Sequence, residues 1–219
     1  MKNFFSIILL INIINVFSQN DANAVKLLDK VSFKIDKADT YKIEFSYHVD
    51  DNIDQKEKGI VFIKKDNYVL DFFGVKQICD SKFVYTIVSE NKEVIISDIL
   101  KENKKSLSPS NLLKFYRDGY IIKNEESKKE SSFLNQYIKL IPIENKQEIS
   151  HLLIGINTIS NDIFKVIEFG KNKSKITLEI NNIFYNTELK DDVFDFNEND
   201  YLDYYIEKLW NENNWQVHI

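Results

Sequence analysis

Between Gln77 and Ile99 the chain runs in short β-type segments, QIC, FVYTIV and EVIISD, separated only by the polar turns Asp80-Ser81-Lys82 and Ser89-Glu90-Asn91-Lys92. Segments and connectors of these lengths leave one simple option, consecutive antiparallel neighbours in a meander. The stretch SLSPSNLLKFYRDGY then interrupts the pattern with the marks of a helix. Ser108 is a good N-cap, Pro109 suits the first helical position, and Gly119 can supply a left-handed C-cap. Leu112, Leu113, Phe115 and Tyr116 give this short helix a large apolar surface, with Lys114, Arg117 and Asp118 on its wet side. Such a helix packs either as ordinary core or as a cover over the open side of a curved sheet, and the residues alone leave both open.

The flanking sequence extends the same theme. Asp21 is placed to cap a helix in which Ala24, Leu28, Val31 and Ile35 share one face, with Lys26, Asp29, Lys30 and Lys34 opposite. Strict alternation follows: Tyr41, Ile43, Phe45, Tyr47 and Val49 on one side, Lys42, Glu44, Ser46 and His48 on the other. Further strands are expected at Gly59–Ile63, Tyr68–Phe73, Lys76–Cys79, Phe83–Val88 and Glu93–Asp98. After the central helix they resume at Tyr120–Lys123, Gln136–Ile141, His151–Ile156, Ile163–Phe169 and Ile176–Ile180, with Ile183–Tyr185 as an extension. About ten strands in meander order with few helices specify a mainly β fold. The expected form is one strongly curved, unclosed antiparallel barrel with an N-terminal helix and a short central lid helix.

Residues 1–18 read as a signal peptide. Lys2 precedes the apolar run Phe4–Phe17, and Val16 and Ser18 form a small-residue cleavage pattern before Gln19. The run is shorter than a membrane span and is interrupted by Asn12 and Asn15. Residues 19–219 are then one exported domain. Its charge is −6, the −5 of the whole sequence less Lys2, the one charged residue before position 19. A mildly acidic chain whose one arginine is Arg117 lacks the basic stripe that nucleic-acid binding requires. The lone Cys79 excludes an internal disulfide and reads as a half-buried small hydrophobe.

No catalytic constellation emerges. His48, His151 and His218 lie far apart, without the spacing of a zinc site, and the five glycines are isolated. Ser89–Lys92 matches S-x-x-K by letter but falls at a hairpin tip, where that motif needs a helix start. Asp191, Asp192, Asp195, Glu198 and Asp200 lack calcium-loop spacing and read as a solvated face. We therefore expect no enzyme activity, catalytic residue, metal site or cofactor. What the chain has in surplus is aromatic and apolar, with 16 Phe and 11 Tyr repeatedly on one strand face. That pattern suits an ordinary core and a lipophilic ligand cavity equally well.

Several segments, in order, resemble the LolA family of periplasmic lipoprotein carriers, in its Bacteroidetes form. They are KLLDKVS (from Lys26), GIVFIKKDNYVLDF (from Gly59), QICDSKFVYT (from Gln77), SPSNLLKFY (from Ser108), IKLIPIE (from Ile138), KITLEINN (from Lys175) and VFDFN (from Val193). The resemblance covers Ala22 to about Leu209. It implies a periplasmic, monomeric carrier that takes lipoprotein acyl chains from an inner-membrane ATP-driven release complex to the outer membrane, where the acceptor is unknown. On that reading Ile43, Phe45, Tyr47, Val61, Ile63, Leu70, Phe72, Val84, Leu112, Phe115 and Tyr116 line an apolar cavity. One position departs from the family: Lys65 stands where an arginine latches the lid, and lysine lacks the bidentate fork of arginine. The tail, residues 201–219, is aromatic-rich and either packs across the sheet or serves as a docking segment. Two other binding roles fit the same fold: a regulatory sensor of lipids or lipoproteins, and a carrier of another lipid-linked product. An enzyme acting on lipid-linked substrates would need a polar constellation in the cavity.

Overall fold

The alternation in the sequence becomes hydrogen-bonded sheet throughout the computed structural model, which describes residues 20–50, 55–99, 116, 119–125, 134–144 and 148–209. The first element is helix α1, Ala22–Asp36. Asp21 caps it as expected, its Oδ1 accepting the backbone N–H groups of Asn23 and Ala24 at 2.8 and 3.1 Å. Ala24, Leu27, Leu28, Val31 and Ile35 are buried, so the predicted stripe is the face that meets the sheet.

Twelve strands follow: β1 Tyr41–Val49, β2 Glu57–Lys64, β3 Asn67–Phe72, β4 Val75–Cys79, β5 Phe83–Val88 and β6 Glu93–Asp98. The remainder are β7 Tyr120–Glu125, β8 Asn135–Pro142, β9 Ile149–Asn157, β10 Ile163–Gly170, β11 Lys175–Tyr185 and β12 Tyr205–Lys208. They form one sheet in the order β12-β6-β5-β4-β3-β2-β1-β11-β10-β9-β8-β7. The sheet is thus two meanders joined where β11 returns to lie beside β1, Tyr41 opposite Tyr185 and Val49 opposite Ile176. Its outer strands, β12 and β7, are not paired to each other, so the curved sheet stays unclosed.

One face of this sheet is continuous with α1. Tyr41, Phe45, Val61, Ile63, Tyr68, Cys79 and Val84 from one meander share a core with Ile122, Ile138, Leu140, Leu152 and Ile154 from the other, together with the buried residues of α1. The helix is fastened at both ends. At its start the Asp21 N–H donates to the Ile122 carbonyl, the Ile122 N–H to Asn20 Oδ1, and Asn124 Nδ2 to Asp21 Oδ2, each at 2.8 Å. At its end Lys34 Nζ reaches Asp162 Oδ1 at 2.6 Å and the Ser160 carbonyl at 3.0 Å.

The outer face carries two smaller cores. Val69, Ile78, Ile87, Val94 and Ile96 of β3–β6 are buried with Phe194, under a strap that runs from Leu189 to Ile206 and contains two short 3-10 helices, Asp191–Phe194 and Glu198–Tyr201. Stacked rings fix it: Tyr85 lies 4.3 Å from Phe196, which lies 5.3 Å from Tyr201. The strap then turns to pair as β12, parallel to β6, from Tyr205 opposite Glu93 to Lys208 opposite Ile96. The twelfth strand lies in the tail, where four residues in parallel pairing give little periodicity to read. The tail as far as Leu209 therefore packs on the sheet. On the other meander Tyr137, Leu153 and Ile167 are buried, with Phe164 and Phe169 packed against them.

The second face of β1 is less wet than its sequence suggests, since Ser46 and His48 are both buried. Cys79 is buried and its Sγ lies 3.4 Å from the Asp66 carbonyl; burial pushes its thiol pKa up, which disfavours the reactive thiolate. Ser89–Lys92 is the β5–β6 turn as expected, and Lys92 forms an exposed pair with Asp203 of the strap at 2.7 Å. Among the described residues no group of three or more His, Cys, Asp or Glu is placed to hold a metal ion. Among them, too, no helix is long and apolar enough to cross a membrane.

Candidate functional site

Between α1 and the inner face of the sheet the packing is incomplete. A cavity of about 340 Å³ remains there. Its roof is Val31 and Ile35 of α1. Its walls are Tyr41, Ile43, Phe45 and Tyr47 of β1, Val61 of β2 and Leu70 of β3, and on the other side residues of β9, β10 and β11 such as Leu152, Ile154, Ile163, Val166, Ile176, Leu178, Ile180 and Ile183.

Two irregularities in the sheet make this wall apolar. The pairing of β1 with β11 shifts register between Glu44 and Phe45, which face Asn182 and Ile180 respectively. Asn181 is therefore the extra residue of a bulge, its Nδ2 donating to Ser46 Oγ at 2.8 Å on the outer side. Ile180 and Ile183, three apart in sequence, both line the cavity because the bulge absorbs one residue. A second shift in β10, between Ile163 and Lys165, does the same for Ile163 and Val166 and turns Phe164 outward over Gly155. On β1 the Phe45 ring lies across Gly59, directly opposite in β2, where a Cβ would collide with it. This glycine is needed for close approach.

Cross-strand register gives the cavity a direction. Tyr41, Ile63, Tyr68 and Tyr185 form one row, and the next rows contain Ile43 with Val61, Leu70 and Gln77, and then Phe45 with Ile180. Tyr47 aligns with Leu178, Val166 and Ile154, and the last row is Val49, Ile176, Glu168 and Leu152. The first row is tied down: Tyr185 Oη donates to Asp162 Oδ1 at 2.6 Å, the same oxygen that pairs with Lys34. Burial pushes Tyr185 well above the usual phenol range, with the Asp162 contact adding to it, and Tyr41 is raised to about 12, mainly by burial. Burial alone would raise Asp162, but hydrogen bonds from Lys34, Tyr185 and Ser160 outweigh it and hold the carboxyl low. At the other end Val49 is 44% exposed, so this row is the rim.

Of the residues expected to line a cavity, Ile43, Phe45, Tyr47, Val61 and Leu70 do so. Ile63 and Val84 do not; they are buried in the shared core. Phe72 is not among the lining residues; it packs its ring 5.4 Å from those of Phe45 and Tyr47 against the inner core. Tyr116 is buried against α1, its hydroxyl donating to Asp29 at 3.4 Å. Gly119 has φ +88°, as a left-handed C-cap would require, but Leu112 and Phe115 and the rest of the expected lid helix lie outside the described residues. Lys65 sits at the exposed tip of the β2–β3 turn with φ +57°, a turn residue there with its side chain toward solvent. The expected signal peptide and His218 also lie outside the described residues.

The larger share of the lining, from β9 to β11 and α1, was not among the expected cavity residues. Its signal was the inward alternation Ile176, Leu178, Ile180. What could not be read was that β11 returns to β1 and so faces the residues nominated from the first meander.

The architecture defined by these features is a half-open antiparallel sheet wrapped around an apolar cavity and, among the described residues, roofed by α1. No family model matches the sequence, and no curated protein matches it. Among solved structures, the chain is similar to an uncharacterized conserved protein from Thermus thermophilus, with a TM-score of 0.58 and 10% identity over 85% of this chain and 99% of that one. That likeness shows a common fold. Weaker likenesses include the lipoprotein LppX of Mycobacterium tuberculosis, at TM-score 0.48 and 9% identity over 78% and 99% of the two chains. A LolA superfamily protein from Nitrosomonas europaea gives TM-score 0.40 and 12% identity over 82% and 99%. Neither of these two bears on the assignment.

Proposed function

We propose that this protein is a non-enzymatic carrier that shelters an acyl chain in the cavity between α1 and the inner face of the sheet. The observation that carries the reading is the cavity itself. A domain that fills both outer cores with side chains leaves about 340 Å³ on the inner side, bounded by Ile, Leu, Val and aromatic groups. Small-molecule sites begin at roughly this size, so it suits one chain better than several. From Tyr41 to Tyr47 the wall is about 20 Å long at ~3.3 Å per residue, which is the shape of an extended alkyl group.

The physical need is plain. Each buried methylene is worth ~0.8 kcal/mol, so exposing a chain of roughly fifteen would cost about 12 kcal/mol. Water cannot carry such a group unaided. With the sequence resemblance to lipoprotein carriers, the cargo we propose is an acylated lipoprotein taken up in the periplasm from an ATP-driven release complex of the inner membrane. Lys65 at an exposed turn, where the family has its latching arginine, means that retention rests on burial. Ligand contacts fall to Ile43, Phe45, Tyr47, Val61 and Leu70 together with their partners on β9–β11.

Native capture of the exported protein, followed by lipid and peptide mass spectrometry, tests this directly. An acylated partner is expected. Recovery of a stable protein partner without acyl groups would favour the sensor role instead. Phe45→Glu should abolish acyl-probe retention, because it places a charge in the wall; unchanged binding would refute the assignment of the cavity.

A further inference from the structure

One group in the cavity does not fit a purely apolar cargo. Glu168 lies on β10 in the rim row, facing inward between Leu152 of β9 and Ile176 of β11, all three lining the cavity. It is half-buried. Other carboxylates of this half of the sheet are neutralised: Asp162 has Lys34 at 2.6 Å, Glu179 has Lys56 at 2.6 Å and Lys165 at 3.3 Å, and Glu125 has Lys139 at 3.7 Å. Glu168 has no hydrogen-bond or ion-pair partner among the described residues, whereas Gln77, also in the wall, is bonded to Tyr68 and Thr86. The other polar lining groups are tyrosines, and Tyr120 shares the Glu168 end, near enough for the carboxylate to add to the rise in its pKa that burial causes. A carboxylate held between apolar neighbours, with no cation beside it among the described residues, loses hydration without a compensating contact from them. The missing partner is one a ligand can bring.

We infer that the cavity takes an alkyl chain carrying a protonated amine at its head, with the chain along the Tyr41–Tyr47 rows and the amine on Glu168 at the rim. The proposal rests on the carrier reading of the same cavity and narrows it. Two sources share this chemistry: an amine-bearing lipid, and an acylated peptide whose amino terminus is free. The polarity of the cavity supports the placement. The first row is closed by the Lys34–Asp162–Tyr185 network, while the Glu168 row ends at exposed Val49, so a head group enters last and stays near water.

The test is a set of titrations of the exported chain by calorimetry, with dodecylamine, dodecanol and dodecanoate below their aggregation limits. The amine should bind about fivefold or more tighter than the alcohol, the order of one charge-assisted contact at a partly exposed site. Dodecanoate should be weakest. Glu168→Gln should abolish the preference for amine over alcohol, and Glu168→Asp should keep part of it. An S-dodecyl-cysteinyl peptide, with its amino terminus free or acetylated, separates the two sources. Discrimination between the two forms points to an acylated peptide, and discrimination among the simple amphiphiles alone points to a lipid amine. Equal affinity of the wild-type chain for amine and alcohol, or an amine preference that survives Glu168→Gln, overturns the inference and leaves the carrier reading standing. Failure of all three amphiphiles to bind overturns both.

Discussion

The outer face of β3–β6 and the inner face of β1 and β9–β11 follow the same alternation, yet the first is filled by side chains and the second encloses a cavity. Outward from β3–β6, Val69, Ile78, Ile87, Val94 and Ile96 meet a strap of the protein's own chain, and Phe194 is driven among them until it is 3% exposed. Inward, among the described residues, α1 covers β1 and β9–β11 as a 15-residue helix pinned at both ends, and a cavity remains beneath it. Apolar side chains on a strand therefore do not by themselves mean core. What decides is whether the chain supplies a matching surface, and here it does so on one side and leaves about 340 Å³ on the other.

The sharpest way to break this contrast is to delete a group from the packed face. Phe194→Ala should cost about 3–5 kcal/mol, as removal of a buried aromatic ring does, read from urea unfolding, with alkyl-probe affinity unchanged in the folded protein. Loss of binding without loss of stability would mean the faces are wrongly assigned. Next comes a pair of enlargements. Ile87→Phe overfills the outer core and should cost about 1–3 kcal/mol. Leu178→Phe grows into the cavity, so stability should change by less than about 1 kcal/mol, while affinity for dodecanol should fall about tenfold or more. Equal destabilisation by the two would show that the inner face is packed after all.

A smaller effect is expected where the roof is fastened. Asp162→Asn should weaken the protein by about 1 kcal/mol, because this partly exposed carboxylate accepts hydrogen bonds from Lys34 and Tyr185. Its pKa is lowered in the folded state, so the wild-type advantage is present above the ordinary carboxylate pKa and is lost as pH falls through the depressed folded value. At the alkaline end the sign reverses. Tyr41 is raised to about 12, so its contribution is full below pH ~10 and is lost as pH rises through the folded value. Tyr41→Phe should flatten that limb in pH-dependent unfolding. Asp203→Asn, at the exposed Lys92 pair beside the strap, should leave stability unchanged. A measurable loss would mean that the strap depends on charge as well as on ring stacking.

How much of this was legible depended on whether a signal was local. The capping by Asp21, the inward face of α1 and the alternation of β1 could be read because each is set by neighbours within a few residues. The turn at Ser89–Lys92 was readable for the same reason. The bulge at Asn181 was not, since Ile176–Ile180 and Ile183–Tyr185 read as two segments until pairing with β1 joins them. Nor was the fate of Ile63 and Val84, which share the inner face with Val61 yet are buried away from the cavity. Alternation tells which side a residue faces; only the curvature of the sheet and the path of α1 tell whether it meets protein or space. Glu168 is illegible for a related reason, since one acid in a strand reads as solvated until its row places it beside Leu152 and Ile176.

The central claim is that the inner cavity is a binding site and not a packing defect. Titration of the protein with dodecanol, a probe with no charge to complicate the outcome, tests it most directly when done in parallel on Leu178→Phe. The account predicts saturable binding at one site in the wild-type protein and its near loss in the variant, with both proteins equally stable to urea. Absence of saturable binding by the wild-type chain, or equal binding by the two, would contradict it.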